Sequence, residues 1–264
     1  MTEYFDLNNK TWYCLSLFYS NDKWGFLLDR VFLFKEKNKE LLDLIIFFSK
    51  ERGEHVSFMF SADTADKEGL QDNILLFFND IITENPSGSY NEPFKPGKSF
   101  WAYYPENSII WNRFSLRQTL YANINNVRLC SLTSAFIYSL AESDYSIANR
   151  ISMALYMIAG LYKITSDKDR IIKEITKKLS TKNEVYKHTL ENRAVINSYL
   201  EDFGPEDNVS ESWINEVQAI LDDNPDRFHH ISKQICNMLD LYDDGHLLMM
   251  DMIRDCFQNR FLSE

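Results

Sequence analysis

The chain has 264 residues with a formal net charge of −11, and 45% of its residues are hydrophobic. This composition is ample for a large core, and only 8 Gly and 6 Pro favour a helix-rich protein over a loop-rich one. The negative charge argues against unaided binding to nucleic acids or anionic membranes, because both carry charge of the same sign.

The first part of the chain predicts alternating strands and helices. Residues 11–20 are rich in aromatic side chains and alternate loosely, which is typical of a strand, and residues 22–33 have apolar side chains at helical spacing. Two more strands are predicted at 44–48 and 56–60, followed by a capped helix. The apolar stripe of that helix consists of Leu70, Ile74, Phe77, Phe78 and Ile81.

The strand at 56–60 is the centre of this interpretation. Val56, Phe58 and Phe60 alternate with other side chains, so one face is expected to enter the core. The second face of a half-buried strand can line a cavity, which makes its side chains candidates for function. These side chains are His55, Ser57, Met59 and Ser61.

The second part is predicted to be helical almost throughout. A loop at 85–98 and a short strand at 99–104 precede it. The expected helices cover 129–142, 146–164, 166–179, 184–200, 210–221, 227–241 and 245–262. We therefore predict an α+β fold in a single domain over 1–264, with an N-terminal mixed βαββα sheet region (1–113) packed with a larger helical half (114–264).

Common cofactor-binding and catalytic motifs are absent from the sequence. The glycines form no GxGxxG and no P-loop, and there is no HExxH, no GxSxG and no zinc spacing of Cys and His. The sequence therefore carries no recognisable metal-binding or nucleotide-cofactor motif. The N-terminus has no signal-peptide pattern, and no apolar run reaches the roughly 18 residues of a membrane span.

The four cysteines are Cys14, Cys130, Cys236 and Cys256. They are widely spread and show neither a CxxC pair nor the spacing of a disulfide framework. Buried thiols in a reducing compartment are therefore expected, which predicts a cytoplasmic protein.

The last helix carries the most informative polar side chains. Spacings of three and four residues place five side chains on one face: His246, Met250, Ile253, Phe257 and Arg260. His246 and Arg260 can both reach a cavity; alternatively, Arg260 extends to solvent and His246 caps the helix start. The neighbours His229 and His230 diverge by about 100° on a helix, which indicates surface or partly buried positions and not a shared site.

Several segments, taken in their order, resemble the lantibiotic-dehydratase C-terminal domains and thiopeptide-type bacteriocin biosynthesis proteins. An aromatic-rich strand at 12–17 comes first, and HVSFMF at 55–60 stands where the family has a strand typically written HLRLRF. Arg117-Gln118 and Tyr121 echo an Arg-Glu pair before a Tyr/Gly-rich turn. Asn259-Arg260 matches the end of a final HMxxNR segment. The resemblance spans most of the chain and implies a fold like the dehydratase elimination domain.

Three positions depart from the relatives that eliminate glutamate from glutamylated Ser or Thr. The resemblance implies that those relatives hold glutamate with two strand arginines and a terminal His, and here the positions are Ser57, Met59 and Asp255. A glutamate pocket without these cations would be badly weakened. The chain is therefore more similar to the stand-alone pyridine synthases of thiopeptide pathways, of the thiocillin or micrococcin type.

That branch implies a cofactor-independent enzyme, a formal aza-Diels–Alder cyclase and lyase. It would join two dehydroalanines of a modified linear precursor peptide by formal [4+2] cycloaddition, and loss of water and leader peptide would form the central pyridine and the macrocycle. An aromatic cavity would hold an azole-rich substrate by stacking. We expect Arg260, His246, Tyr121 and Arg117 to be catalytic, by polarising or protonating the diene amide. The expected substrate-binding residues are Ser57, His55, Asn259 and Phe257.

The expected partner is therefore the modified precursor peptide, which consists of the core and the leader. We expect no binding to nucleic acid or to a membrane. The oligomeric state is left open, and a dimer is one of the alternatives. Arg170, Lys173 and Lys177 form a basic stripe that can bind an acidic leader, and a solvated helix face is the alternative. Other functions remain open: a split glutamate-eliminating dehydratase partner, a non-catalytic peptide-binding scaffold of the same pathway, or an unrelated α+β protein.

Overall fold

The computed structural model describes most of the chain, which forms two compact units. We call Met1–Ser146 the sheet unit and Ile147–Glu264 the helical unit. The division thus falls after residue 146, and not at the 113/114 position where the sequence predicts the change to helix. No helix in the described ranges is long and apolar enough to cross a membrane. Those ranges are 4–7, 9–50, 52–63, 67–88, 104–111, 127–179, 190–224, 227–241 and 243–258.

The sheet unit is built on a five-stranded sheet in which every described pairing is antiparallel. The strand order is β1-β2-β4-β3, and β5 pairs with β2 beyond the end of β1. The strands are β1 Tyr4–Leu7, β2 Lys10–Phe18, β3 Leu41–Ser49, β4 His55–Asp63 and β5 Ser108–Trp111. The predicted positions of β2, β3 and β4 are confirmed, whereas β1 and β5 were not foreseen. The strand predicted at 99–104 lies outside the described residues except for Tyr104, which is not in a strand.

Aromatic packing attaches two helices to one face of this sheet. The helices are α1 Trp24–Lys37 and α2 Lys67–Glu84, both at predicted positions. Phe78 of α2 lies 5.1 Å from Phe58 of β4, measured between ring centroids. Phe34 of α1 stacks on Phe77 at 4.1 Å and meets Phe60 edge-on at 6.3 Å. This face therefore forms the aromatic core that the alternation in β4 predicts.

A third helix, α3 Val127–Leu140, packs against the edge strand β3. The Ile46 backbone N–H donates to Ser134 Oγ at 3.0 Å, and Ser134 Oγ in turn donates to the Cys130 carbonyl oxygen at 2.9 Å. An edge strand with open N–H groups invites pairing with another chain. The buried Ser134 hydroxyl satisfies one of these groups inside the protein.

The helical unit contains six helices in its described residues, and α4 packs against four of the others, α6, α7, α8 and α9. Gly160 of α4 contacts the Phe203 ring so closely that an added Cβ would overlap it. The helices are α4 Ile147–Ile164, α5 Lys168–Leu179, α6 Leu190–Asp202, α7 Asn208–Asp223, α8 Arg227–Met238 and α9 Asp243–Gln258. All six lie where the sequence predicts helices, so the α+β class is confirmed.

Helix α8 ends in a Schellman motif. The Leu241 N–H donates to the Cys236 carbonyl at 2.8 Å and the Asp240 N–H donates to the Asn237 carbonyl at 3.3 Å. Asp240 occupies the left-handed position, at φ 58°, where glycine is the usual residue. Arg150 Nη1, fully buried, donates to the Leu239 carbonyl at 2.6 Å and lies 3.4 Å from Asp240 Oδ2. A guanidinium thus satisfies the carbonyl end of α8, where positive charge is favourable.

Candidate functional site

Both faces of β4 are buried, so the prediction of a half-buried strand is wrong for this element. Ser57 is 5% exposed, and its Oγ lies 2.6 Å from Oγ of Ser16 on β2. Met59 is fully buried opposite Cys14. The polar atoms on this face can be buried because other protein groups satisfy them, as buried polar groups require.

His55 lies at the start of β4 in an aromatic corner. Its ring centroid is 4.5 Å from that of Phe18, which in turn is 4.9 Å from that of Tyr104. His55 Nδ1 lies 2.9 Å from the Gly53 carbonyl oxygen. A carbonyl oxygen only accepts, so His55 Nδ1 carries a proton and donates it to this oxygen. The corner thus combines aromatic rings with an imidazole whose orientation the Gly53 carbonyl fixes.

A charged network crosses the same sheet near its other end. Lys10 Nζ of β2 lies 2.7 Å from Asp43 Oδ2 of β3, and Ser61 Oγ of β4 donates to the same oxygen at 2.5 Å. The Asp43 N–H donates back to Ser61 Oγ at 3.1 Å, beside an irregularity in the β3–β4 register. The carboxylate joins three strands. Asp43 interrupts the apolar run LLDLIIFF, a signal that the sequence interpretation missed.

His246 is buried inside the helical unit. It is 2% exposed, and its Nε2 lies 3.0 Å from Ser232 Oγ on α8. The Ser232 hydroxyl donates its single proton to the His229 carbonyl oxygen at 2.9 Å, so His246 Nε2 acts as the donor to Ser232. The ring centroids of His229 and His246 are 4.7 Å apart. The sequence did not predict this pair, because helix packing and not chain proximity brings the two rings together.

We expect the His246→Ala variant to lose about 2–3 kcal/mol of unfolding free energy, because it removes a buried ring and leaves Ser232 short of a donor. Urea denaturation followed by circular dichroism measures this loss. Ser232→Ala and the double variant complete a double-mutant cycle, with an expected coupling of about 1 kcal/mol. Additive losses in the cycle would contradict the hydrogen bond.

A shallow apolar cleft lies between α5, α8 and α9 of the helical unit. Ile171 and Ile175 line it from α5, Phe228 and His229 from α8, and Met250 from α9. Its enclosed part is about 10 Å³, room for about one water molecule, whereas the open space around it is about 300 Å³. The cleft is therefore too small to enclose a peptide.

The helix α5, which lines this cleft, is strongly amphipathic. Ile171, Ile175 and Leu179 are buried on one side of it. The predicted basic residues Arg170, Lys173 and Lys177 are exposed on the other side. The structure therefore places the predicted basic stripe in solvent.

Asp255, which stands where glutamate-eliminating relatives are expected to have a His, is bound by an arginine. Arg193 of α6 donates to both carboxylate oxygens of Asp255 on α9, at 2.9 Å from Nε and 3.2 Å from Nη2. Such two-point contacts fix orientation as well as charge. Arg193 thus fastens the last turns of α9 to α6, a role that the sequence interpretation did not assign.

Several predicted site residues fall outside the described part of the chain. These are Arg117, Tyr121, Asn259 and Arg260. Phe257 lies in α9. Among the described residues, no group of three or more His, Cys, Asp or Glu side chains is arranged to hold a metal ion.

All four cysteines are buried and none of them is in a disulfide. Burial raises the pKa of the Cys14 thiol and raises those of Cys130 and Cys236 to about 12. The neutral thiol is therefore favoured at each of these three positions, which makes them poor nucleophiles.

An antiparallel sheet with helices on one face, followed by a unit of six described helices, defines the class of the protein as α+β. The chain is similar in structure to "Pyridine synthase, TbtD, from thiomuracin biosynthesis", with a TM-score of 0.61 over 96% of this chain and 99% of that chain. The two share 11% sequence identity, so the likeness establishes a common fold. No family model and no curated protein matches the sequence.

Proposed function

We propose that this protein is a thiopeptide pyridine synthase. The observation that carries the proposal is the shared fold, which extends over 96% of this chain and 99% of a pyridine synthase. Fold alone does not determine chemistry. Positions 57 and 59, where relatives that eliminate glutamate are expected to have arginine, are Ser57 and Met59 in this chain. This difference also favours pyridine synthesis over glutamate elimination, since a glutamate pocket needs cations.

The proposed reaction joins two dehydroalanines of a modified precursor peptide. One dehydroalanine amide becomes the azadiene when a proton moves from its nitrogen to its oxygen. The cycloaddition then forms two C–C bonds, because the amide nitrogen lies inside the azadiene, and loss of water and of the leader as its amide gives the pyridine. Every step is redox-neutral, so the residues need only hold the two alkenes together and move protons. We propose that no cofactor takes part and that the reaction occurs in the cytoplasm, with products of the thiocillin or micrococcin type.

We propose that Arg260 and Arg117 polarise the diene amide and that Tyr121 positions it, with Asn259 and Phe257 at the substrate. We propose that His55 contacts the substrate, because the Gly53 carbonyl fixes its ring beside Phe18. His246 and Ser57 are buried and hydrogen-bonded to Ser232 and Ser16, which supports positioning roles for both.

We expect a synthetic peptide with two dehydroalanines and an acidic leader to lose water and leader on incubation with the protein. Mass spectrometry would show a macrocycle and an intact leader fragment, and Arg260→Ala should reduce the rate about 100-fold. Arg260→Lys tests whether charge alone is sufficient.

Three outcomes would contradict the proposal. Loss of glutamate from a glutamylated peptide would identify an eliminating partner. Binding of the bis-dehydroalanine peptide without any change in mass would identify a scaffold. Wild-type rates for both Arg260→Ala and His246→Ala would refute the assigned roles.

A further inference from the structure

We propose that the outer surface of α1 and α2 is a docking site for a basic amphipathic helix of a partner protein. Three exposed apolar side chains define this surface: Phe26 and Leu33 of α1 and Leu76 of α2. The surface belongs to the sheet unit alone, since both helices lie in it. The proposal goes beyond the proposed function and does not depend on it.

Apolar side chains lie next to one another across the two helices. The half-buried rings of Phe34 and Phe77 stack between α1 and α2, with their centroids 4.1 Å apart. Leu33 and Leu76 each directly precede one of these rings and are 42% and 60% exposed. Phe26 stands seven residues before Leu33 and so shares its helix face. These side chains form a contiguous apolar patch, and such patches mark interaction sites on soluble proteins.

The shape of the surface suits a third helix. α1 and α2 run antiparallel: Arg30 precedes the stacked ring of α1, and its Nη2 lies 3.1 Å from Oε2 of Glu84, which follows the stacked ring of α2. Consecutive helix residues are turned by about 100° about the axis, so Leu33 and Leu76 rise on either side of the stacked rings. Two apolar ridges with an aromatic floor between them can receive the ridge of another helix.

The charges beside Leu76 are negative. Asp72 and Asp80 are exposed and lie four residues before and after it, so all three side chains share one face of α2. The described exposed residues of α2 include no lysine or arginine, whereas those of α1 carry charges of both signs. A partner helix with Lys or Arg one turn on either side of an apolar residue can pair with both carboxylates while its apolar side chain meets Leu76. The net charge of −11 adds attraction at longer range.

A second copy of this chain fits the surface poorly. Two-fold pairing sets the same patch of each copy against the other. The carboxylates of Asp72 and Asp80 would then face their own copies across the contact. Like charges opposed across an interface reduce affinity, so the charge pattern selects a different, basic partner.

Docking on this surface leaves the candidate site free. α1 and α2 cover the face of the sheet that carries Phe58 and Phe60. Ser57 lies on the opposite face, because neighbouring residues of a strand alternate. A partner bound to the outer side of the helices is farther still from Ser57. The expected role is therefore association with another protein and not a change in the chemistry.

The test is fluorescence anisotropy of the full-length protein with a labelled synthetic helix of Leu and Lys residues, in which the leucines form one face. We expect saturable binding to the wild type and about tenfold weaker binding to L33Q/L76Q, because Gln keeps the helix and removes the apolar contact. D72K/D80K should weaken binding to a similar extent and reduce its dependence on salt.

Two matched controls should bind the synthetic helix like the wild type. I147Q/I151Q makes the same kind of change at isoleucines of the helical unit that are 48% and 42% exposed. E201K/D222K makes the same change of charge at exposed carboxylates of α6 and α7. All these positions are exposed, so the variants should unfold within about 0.5 kcal/mol of the wild type.

Equal binding by D72K/D80K and E201K/D222K would indicate general attraction between opposite charges and overturn the proposal, as would wild-type affinity of L33Q/L76Q. A wild-type dimer in analytical ultracentrifugation that L33Q/L76Q abolishes would identify a second copy as the occupant and overturn it as well. The macrocyclisation assay is read separately, and L33Q/L76Q should match the wild type in it. Binding of the synthetic helix without macrocycle formation by the wild type would refute the proposed function and leave the docking site standing.

Discussion

Replacement of Arg150 by Ala is expected to lower the free energy of unfolding of the helical unit by about 3–5 kcal/mol. The guanidinium is fully buried, donates to the Leu239 carbonyl at 2.6 Å and lies 3.4 Å from the Asp240 carboxylate. Its loss leaves a buried carboxylate without its cation and the end of α8 without a donor. Urea unfolding followed by Trp213 fluorescence measures the change, because this side chain is fully buried in α7.

The matched control is the double variant Arg150→Met, Asp240→Asn. It removes both charges and keeps the volume, and Asn tolerates the left-handed φ of 58° at position 240. We expect it to recover most of the stability that Arg150→Ala loses. If the double variant is as unstable as Arg150→Ala, the loss comes from packing and not from the uncompensated charge.

Gly25→Ala is expected to destabilise the sheet unit by about 3 kcal/mol. In an ordinary helix this substitution stabilises by about 1 kcal/mol. Here the added Cβ would overlap the Ser143 backbone carbonyl oxygen. Backbone cannot rotate away as a flexible side chain can, so α1 or the turn after α3 must shift. Thermal unfolding followed by circular dichroism measures the effect.

Gly88→Ala is the control for this prediction, because among the described residues no atom beyond the chain neighbours lies within 4 Å of the added Cβ. It makes the same chemical change at an exposed position of the same unit and should leave stability within about 0.5 kcal/mol. A stabilising Gly25→Ala would show that the approach of α1 to Ser143 is looser than the structure indicates.

The sequence predicted those helices and strands whose apolar residues recur at one regular spacing. The helical spacing of Leu70, Ile74 and Phe78 located α2, and all three side chains are buried. The strands β1 and β5 have four residues each, too few to show a period of two, and they exist because β2 offers a free edge. Short edge strands therefore depend on the partner strand more than on their own residues.

The candidate site was predictable only in part, because its contacts join distant segments. The spacing in the last helix singled out His246, but its partner Ser232 lies on α8 and no pattern joins the two positions. The pair of Ser57 with Ser16 depends on the register of β2 against β4. The stripe on α5 was predicted because all its members belong to one helix.

By itself, the sequence determined the α+β class, the positions of the long helices and the basic face of α5. These properties depend on spacing within one element, which hydrophobic periodicity records. Only the tertiary structure decided which polar groups are buried, because burial depends on what other segments supply as partners. The spacing in β4 predicted that Ser57 lies on a face that can line a cavity, but its Oγ is buried 2.6 Å from Ser16 Oγ of β2. Likewise, no local pattern marked Arg150 as the buried cation at the end of α8.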